Sequence, residues 1–195
     1  MLRTTLIWIA LLLAVFFPLG LAVSSPLLQW RSIPYILAGF SGVLGLCILL
    51  IQPLLAGRYL PGLSPVMNGR IHRIAGTALV LFVIAHVAGL WFSSPPDVID
   101  ALLFRSPTPF SAWGVIAMWA VFATGILALT RRRLGIRFKV WRFVHLVCGA
   151  IIVSGTIIHA LLIEGTMETT SKVALCIAVG LAFIVTTLDM HKRNA

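Results

Sequence analysis

Four histidines stand at matched spacing in this sequence, two in each of two long apolar stretches. His72 and His86 are fourteen positions apart, and so are His145 and His159. On an α-helix, fourteen residues turn about 40° short of four full turns and advance about 21 Å, so both imidazoles share one face. Two such helices side by side would present facing imidazole nitrogens at two levels, roughly 21 Å apart.

Facing imidazoles at two levels are suited to binding haem, whose iron accepts axial nitrogen ligands. Two histidines per level fit a six-coordinate, low-spin iron, which favours electron transfer over oxygen chemistry. A bare zinc or copper site is disfavoured because each level lacks a third and a fourth ligand. A single histidine in a membrane helix is explained equally well by a hydrogen bond to a neighbouring helix. Four at matched spacing favour the ligand interpretation.

Other side chains near the histidines have two interpretations each. Arg73 and Arg142 flank His72 and His145 and are candidates to pair with haem propionates, although a purely topological role also explains them. Trp141 stands near a span end and is interpreted as an interfacial anchor. Three glycines lie four residues from a histidine, where the missing side chain leaves room either for a flat macrocycle or for close packing of a neighbouring helix: Gly76, Gly149 and Gly155.

The composition identifies the elements that must hold these residues. The chain is 60% hydrophobic and only 10% charged, which is typical of an integral membrane protein and excludes a soluble domain of this size. We predict an all-α bundle of six transmembrane helices forming one domain over residues 1–195. The first run also fits a signal peptide, and the segment 93–110 is predicted to be a loop. The predicted spans are Leu6–Val23, Pro34–Leu55, Ile71–Phe92, Ser111–Leu129, Arg142–Ile163 and Val173–Leu188.

The basic residues predict the orientation of these spans. Six spans put twelve of the fifteen Lys and Arg residues on one side of the membrane. The positive-inside rule makes that side cytoplasmic, with both termini there, and we expect a bacterial inner (plasma) membrane. This topology also explains the net charge of +10 without nucleic acid as a partner. We call His72 and His145 the inner pair, and His86 and His159 the outer pair.

The stretches IHRIAGTALVLFVIAH and WRFVHLVCGAIIVSGTIIH resemble the ferric reductase-like transmembrane domain of ferric reductases and NADPH oxidases. The chain is also similar to the haem subunit of bacterial methionine sulfoxide reductase systems. The resemblance covers most of the sequence from the second span to the sixth. It implies that His72, His86, His145 and His159 ligate two b-type haems, which pass electrons outward across the membrane.

One departure from the family bears on the electron donor. Ferric reductases and oxidases usually continue into a flavin and nicotinamide domain, whereas these 195 residues contain no GxGxxG loop. We therefore expect an oxidoreductase component that a separate flavin reductase or a quinone supplies, with ferric iron, a partner protein or oxygen as the outer acceptor. Two other classes stay open, a haem-handling transporter and a structural membrane anchor.

Overall fold

The computed structural model describes residues 2–193, and this range is entirely helical apart from turns and loops. Six helices are long and apolar enough to cross a membrane, which confirms the predicted all-α, six-span architecture. The predicted cytoplasmic C-terminus, Asn194 and Ala195, lies outside the described residues. The helices are α1 (Leu2–Val23), α2 (Ile33–Ala56), α3 (Pro65–Ser93), α4 (Pro95–Leu102), α5 (Pro109–Thr130), α6 (Phe138–Leu162) and α7 (Thr169–Lys192).

Capping residues explain why several helices begin earlier than hydropathy predicts. α3 starts at Pro65 because the Ser64 hydroxyl accepts a hydrogen bond from the Met67 N–H at 3.2 Å. α7 starts at Thr169 because the Glu168 carboxylate caps its first turn. Those backbone hydrogen bonds also hold the pKa of Glu168 below its usual value. Hydropathy detects the apolar part of a helix, and capping determines where the helix begins.

The segment 93–110, predicted to be a loop, contains the short helix α4, and that prediction is wrong for these eight residues. Pro95 stands at the start of the helix, where its fixed φ is already helical and its missing N–H costs nothing. Asp97 adds a negative charge in the first turn, which the helix dipole favours. Val98 is buried and attaches one side of the helix to the bundle.

Four of the helices form two packed pairs, and α7 connects the two pairs. α2 packs along α3, α5 packs along α6, and α7 contacts both α2 and α6. At the C-terminal end of α6, the ammonium group of the buried Lys172 donates to the Ile163 carbonyl at 2.7 Å. Its positive charge also interacts favourably with the negative end of the helix dipole there. α3 and α6 do not pack along their length. Most of the buried core lies on α2, α5, α6 and α7, with Ala22 contributed by α1, and it includes Leu46, Cys47, Val121, Val153, Leu175 and Val179.

Candidate functional site

The four histidines meet in the two pairs that their spacing predicts. The ring centroids of His72 and His145 are 6.1 Å apart, and those of His86 and His159 are 6.3 Å apart. An atom bound to two imidazole nitrogens at about 2 Å each would place the two centroids about 6 Å apart. The residues at both levels therefore fit a shared metal-centred ligand without movement of either helix.

Backbone carbonyls fix the outer pair in the tautomer that a metal ligand needs. The Nδ1 atom of His86 lies 2.8 Å from the Ala38 carbonyl oxygen, and Nδ1 of His159 lies 2.8 Å from the Phe110 carbonyl oxygen. A carbonyl can only accept, so each Nδ1 carries the hydrogen and each Nε2 keeps its lone pair. Both outer rings thus present Nε2 as the free ligand atom.

Two glycines that the sequence analysis did not single out let these rings approach the carbonyls. Gly42 lies four residues after Ala38 on α2, and a Cβ there would stand 3.1 Å from Nδ1 of His86. A Cβ at Gly114, four residues after Phe110 on α5, would stand 2.7 Å from Nδ1 of His159. Each supporting helix therefore needs a glycine one turn beyond the accepting carbonyl. That pattern is visible in the sequence only once the facing histidine is known.

Gln52 of α2 supports His72 of the inner pair. The Gln52 backbone oxygen lies 3.2 Å from Nδ1 of His72. In the orientation of the side-chain amide that satisfies the α3 backbone, its oxygen accepts from the Gly76 N–H at 2.7 Å, and its nitrogen donates to Nδ1 of His72 at 2.6 Å and to the His72 carbonyl at 3.3 Å. A Cβ at Gly76 would crowd the amide at 3.1 Å. Gly76 thus provides room for Gln52, as the packing interpretation predicts.

His145 differs from the other three histidines. Its Nδ1 is buried and has no hydrogen-bond partner among residues 2–193. Its ring instead lies against Trp141, with centroids 4.8 Å apart and planes tilted by 31°. The guanidinium of Arg131 lies 5.3 Å from the Trp141 ring centre. Trp141, interpreted from the sequence as an interfacial anchor, therefore also contacts the inner pair.

Of the remaining predicted residues, Arg142, Gly149 and Gly155 contact other helices, and Arg73 is exposed. Arg142 donates to the Met190 carbonyl at 3.2 Å and so links α6 to α7, while Arg73 is exposed one position after His72. A Cβ at Gly149 would meet the Phe183 ring at 3.3 Å, and one at Gly155 would meet α5 at 3.1 Å, as close helix packing requires. Among the described residues, no group of three or more His, Cys, Asp or Glu side chains could hold a metal ion by themselves.

Comparison with known proteins gives one match. The model of a family described as ferric reductase like transmembrane component matches residues 41–156, more than half of the chain. The match begins in α2, includes His72, His86 and His145, and ends three residues before His159. No curated protein and no solved structure matches.

Proposed function

The chain belongs to the ferric reductase like transmembrane component family, and from this premise we propose that it carries single electrons across a membrane through two b-type haems. The family indicates transmembrane electron transfer in general. The observation that supports the haem number is the pair of centroid separations, 6.1 Å and 6.3 Å. Each is the separation expected for two imidazoles on one iron, about 6 Å.

In this proposal, histidines of α3 and α6 would hold both haems. His72 and His145 would hold the inner haem, and His86 and His159 would hold the outer haem. When bound, the haem supplies an iron that gains and loses one electron reversibly. The chain would supply the imidazole nitrogens and the carbonyls of Ala38 and Phe110 that orient the outer rings. Arg73 and Arg142 remain proposed partners of the propionates.

The distribution of charge supports the direction of transfer. Twelve of the fifteen Lys and Arg residues lie at the end of the bundle where α1 begins and α7 ends, which we call the basic end. The positive-inside rule places the basic end in the cytoplasm of the proposed bacterial host. Electrons enter at the inner pair from a separate flavin reductase or a quinone. They leave at the outer pair to ferric iron, a partner protein or oxygen.

Alanine variants of the four histidines test this proposal. His86→Ala or His159→Ala should each remove the outer haem and leave the inner haem spectrum intact, and the double variant should lose little more. His72→Ala and His145→Ala should act on the inner haem in the same way. The measurements are haem content per protein and reduction potential. His191→Ala is the matched control, because His191 is exposed in the last turn of α7 and should change neither.

Two outcomes would contradict the proposal. Different spectral components lost in His72→Ala and His145→Ala would refute the pairing. Two haems with unchanged spectra in all four single variants would show that the histidines are not ligands. A protein purified without any haem would instead support a structural membrane anchor.

A further inference from the structure

Lys172, at the start of α7, is the only charged side chain that is buried among residues 2–193, with 7% of it exposed. Its ammonium carries three N–H donors, and one of them reaches the Ile163 carbonyl at 2.7 Å. Within the described part of the chain, no carboxylate pairs with this ammonium and no other hydrogen bond involves it. A buried cation without a counter-charge is costly, so its two remaining donors indicate a site for an anionic group.

The C-terminal end of α6 explains only one of these donors. The last carbonyls of a helix lack partners within the helix, and a lysine can donate to one of them. A lysine can do so with its ammonium in water, because its flexible apolar stem reaches along the protein surface. Capping of α6 therefore accounts for the hydrogen bond to Ile163 but not for the burial of Lys172.

The position of Lys172 on α7 directs its side chain into the bundle. Leu175 and Val179 follow it at helical spacing on the same face, and they are 2% and 0% exposed. Further along this face, the Phe183 ring lies against Gly149 of α6. The face that carries Lys172 is therefore the face that α7 packs against α6 and the core.

The ammonium lies about one helical turn beyond the outer pair. The Ile163 N–H donates to the His159 carbonyl at 3.2 Å, so the carbonyl that Lys172 contacts is four residues past His159. Arg73 and Arg142, the proposed partners of propionates, stand beside the inner pair, about 21 Å away along the helices. Lys172 is therefore the buried cation at the level of the outer pair.

The loop between α6 and α7 covers this end of the bundle. Its residues Thr166 and Met167 are buried. The Thr166 side chain lies against Gly39 of α2, the residue after Ala38, whose carbonyl holds His86. The loop thus joins α6 to α2 at the level of the outer pair, and the buried ammonium is shielded from the outer solution.

We propose that Lys172 binds a carboxylate, and that this carboxylate is a propionate of the outer haem. The inference rests on the proposed function and adds a residue that recognises the edge of its cofactor. A b-type haem carries two propionates, and an ammonium in apolar surroundings forms charge-assisted hydrogen bonds with such groups. The carboxylates of the neighbouring loop are otherwise placed, since Glu168 caps the first turn of α7 and Glu164 is exposed. Because the ammonium is shielded, a carboxylate that arrives with the haem fits better than one from the outer solution.

The test compares haem b with its dimethyl ester, in which both propionates are uncharged. The full-length apoprotein is titrated with each, and the outer component is the absorbance that His86→Ala removes. Lys172→Met should weaken binding of haem b at the outer site by about tenfold or more, as loss of a hydrogen bond to a charged group would. Binding of the ester and binding at the inner site should not change. Lys172→Arg keeps the charge and should restore most of the affinity for haem b.

Two further variants complete the test. Arg105→Met removes an exposed cation at the same end of the bundle and should alter neither titration. Lys172→Gln keeps a donor for the Ile163 carbonyl and gives the same comparison if Lys172→Met fails to fold.

Three outcomes would overturn the inference. Equal weakening of haem b and its ester would show that Lys172 only caps α6, and unchanged binding of haem b would exclude the contact. Binding of free citrate that depends on Lys172, with unchanged selectivity between haem b and its ester, would assign the ammonium to a soluble carboxylate. A wild-type protein without an outer component would instead contradict the proposed function itself.

Discussion

At the scale of single residues, a histidine is prepared as a ligand by what its second nitrogen contacts. His86 and His159 each hold Nδ1 on a backbone carbonyl at 2.8 Å, whereas Nδ1 of His145 has no hydrogen-bond partner among residues 2–193. A hydrogen bond that Nδ1–H donates to a carbonyl raises the basicity of Nε2 and fixes the orientation of the ring. The two proposed haems therefore have unequal surroundings, and substitutions near the outer pair should act on the outer haem alone.

Gly114→Ala tests whether the outer haem depends on the hydrogen bond from Nδ1 of His159. The new methyl group would stand 2.7 Å from Nδ1 of His159, so the ring must leave the Phe110 carbonyl. We expect affinity for the outer haem to fall about tenfold, as for loss of other partners of metal ligands, with the inner haem unchanged. Haem titration of the apoprotein measures this. Gly20→Ala on α1 is the control, because no atom lies within 4 Å of the added methyl. Equal affinity in both variants would refute the role of Gly114.

At the scale of helices, α2 and α5 act as supports for α3 and α6. α2 provides Ala38 to the outer pair and Gln52 to the inner pair, and α5 provides Phe110 to the outer pair. α3 and α6 themselves do not pack along their length, so their separation is set by these supports and by α7. Contacts between a support and its histidine helix should therefore matter more than the α3 and α6 surfaces that face lipid.

Gln52→Leu tests the contact between α2 and α3. Leucine keeps the volume but leaves Nδ1 of His72 with only the Gln52 backbone oxygen, and it removes the amide that bridges His72 and Gly76. Loss of a buried hydrogen-bonding partner costs about 1–3 kcal/mol, so we expect a lower thermal midpoint and selective loss of the inner haem. Thermal unfolding followed at the haem absorbance measures both. Gln29→Leu, in an exposed turn, is the control, and a loss of the outer haem first would contradict this assignment.

At the scale of the whole molecule, the charge distribution predicts the orientation in the membrane. α1, α3 and α6 all begin at the basic end, so the inner pair lies near that end and the outer pair lies about 21 Å further along the helices. Four of the five acidic residues lie near the opposite end. The basic end therefore carries a strong positive charge, whereas the opposite end, with four acidic and three basic residues, is close to neutral.

Reporter fusions test this orientation directly. A reporter joined after Arg193 should be active only in the cytoplasm, and one inserted at Asp97 only outside, because the basic residues resist translocation. Removing positive charge from the basic end should weaken the preference for one membrane orientation. Neutralising Arg131, Arg132 and Arg133 together should therefore produce mixed topology, while neutralising Arg105, at the opposite end, should not. An external reporter at Arg193 in the wild-type chain would refute both the orientation and the direction of electron flow.

The sequence by itself determined the six spans and the two histidine levels. Both follow from local periodicity, since hydropathy marks a span and fourteen residues bring a helix back to nearly the same face. It also predicted which histidines meet, because α3 and α6 run in the same direction. It missed α4, whose eight residues are too short to give a clear periodic signal.

Only the tertiary structure decided what surrounds each histidine. The contacts of Gly114 with His159, of Gln52 with His72 and of Tyr59 with Asp189 join residues from different helices or loops. Trp141, on the other hand, lies one helical turn from His145, yet sequence spacing did not reveal that its ring lies against the imidazole. Such contacts depend on the rotation and offset of packed helices, and these are set by side-chain packing over the whole bundle, which no local pattern encodes.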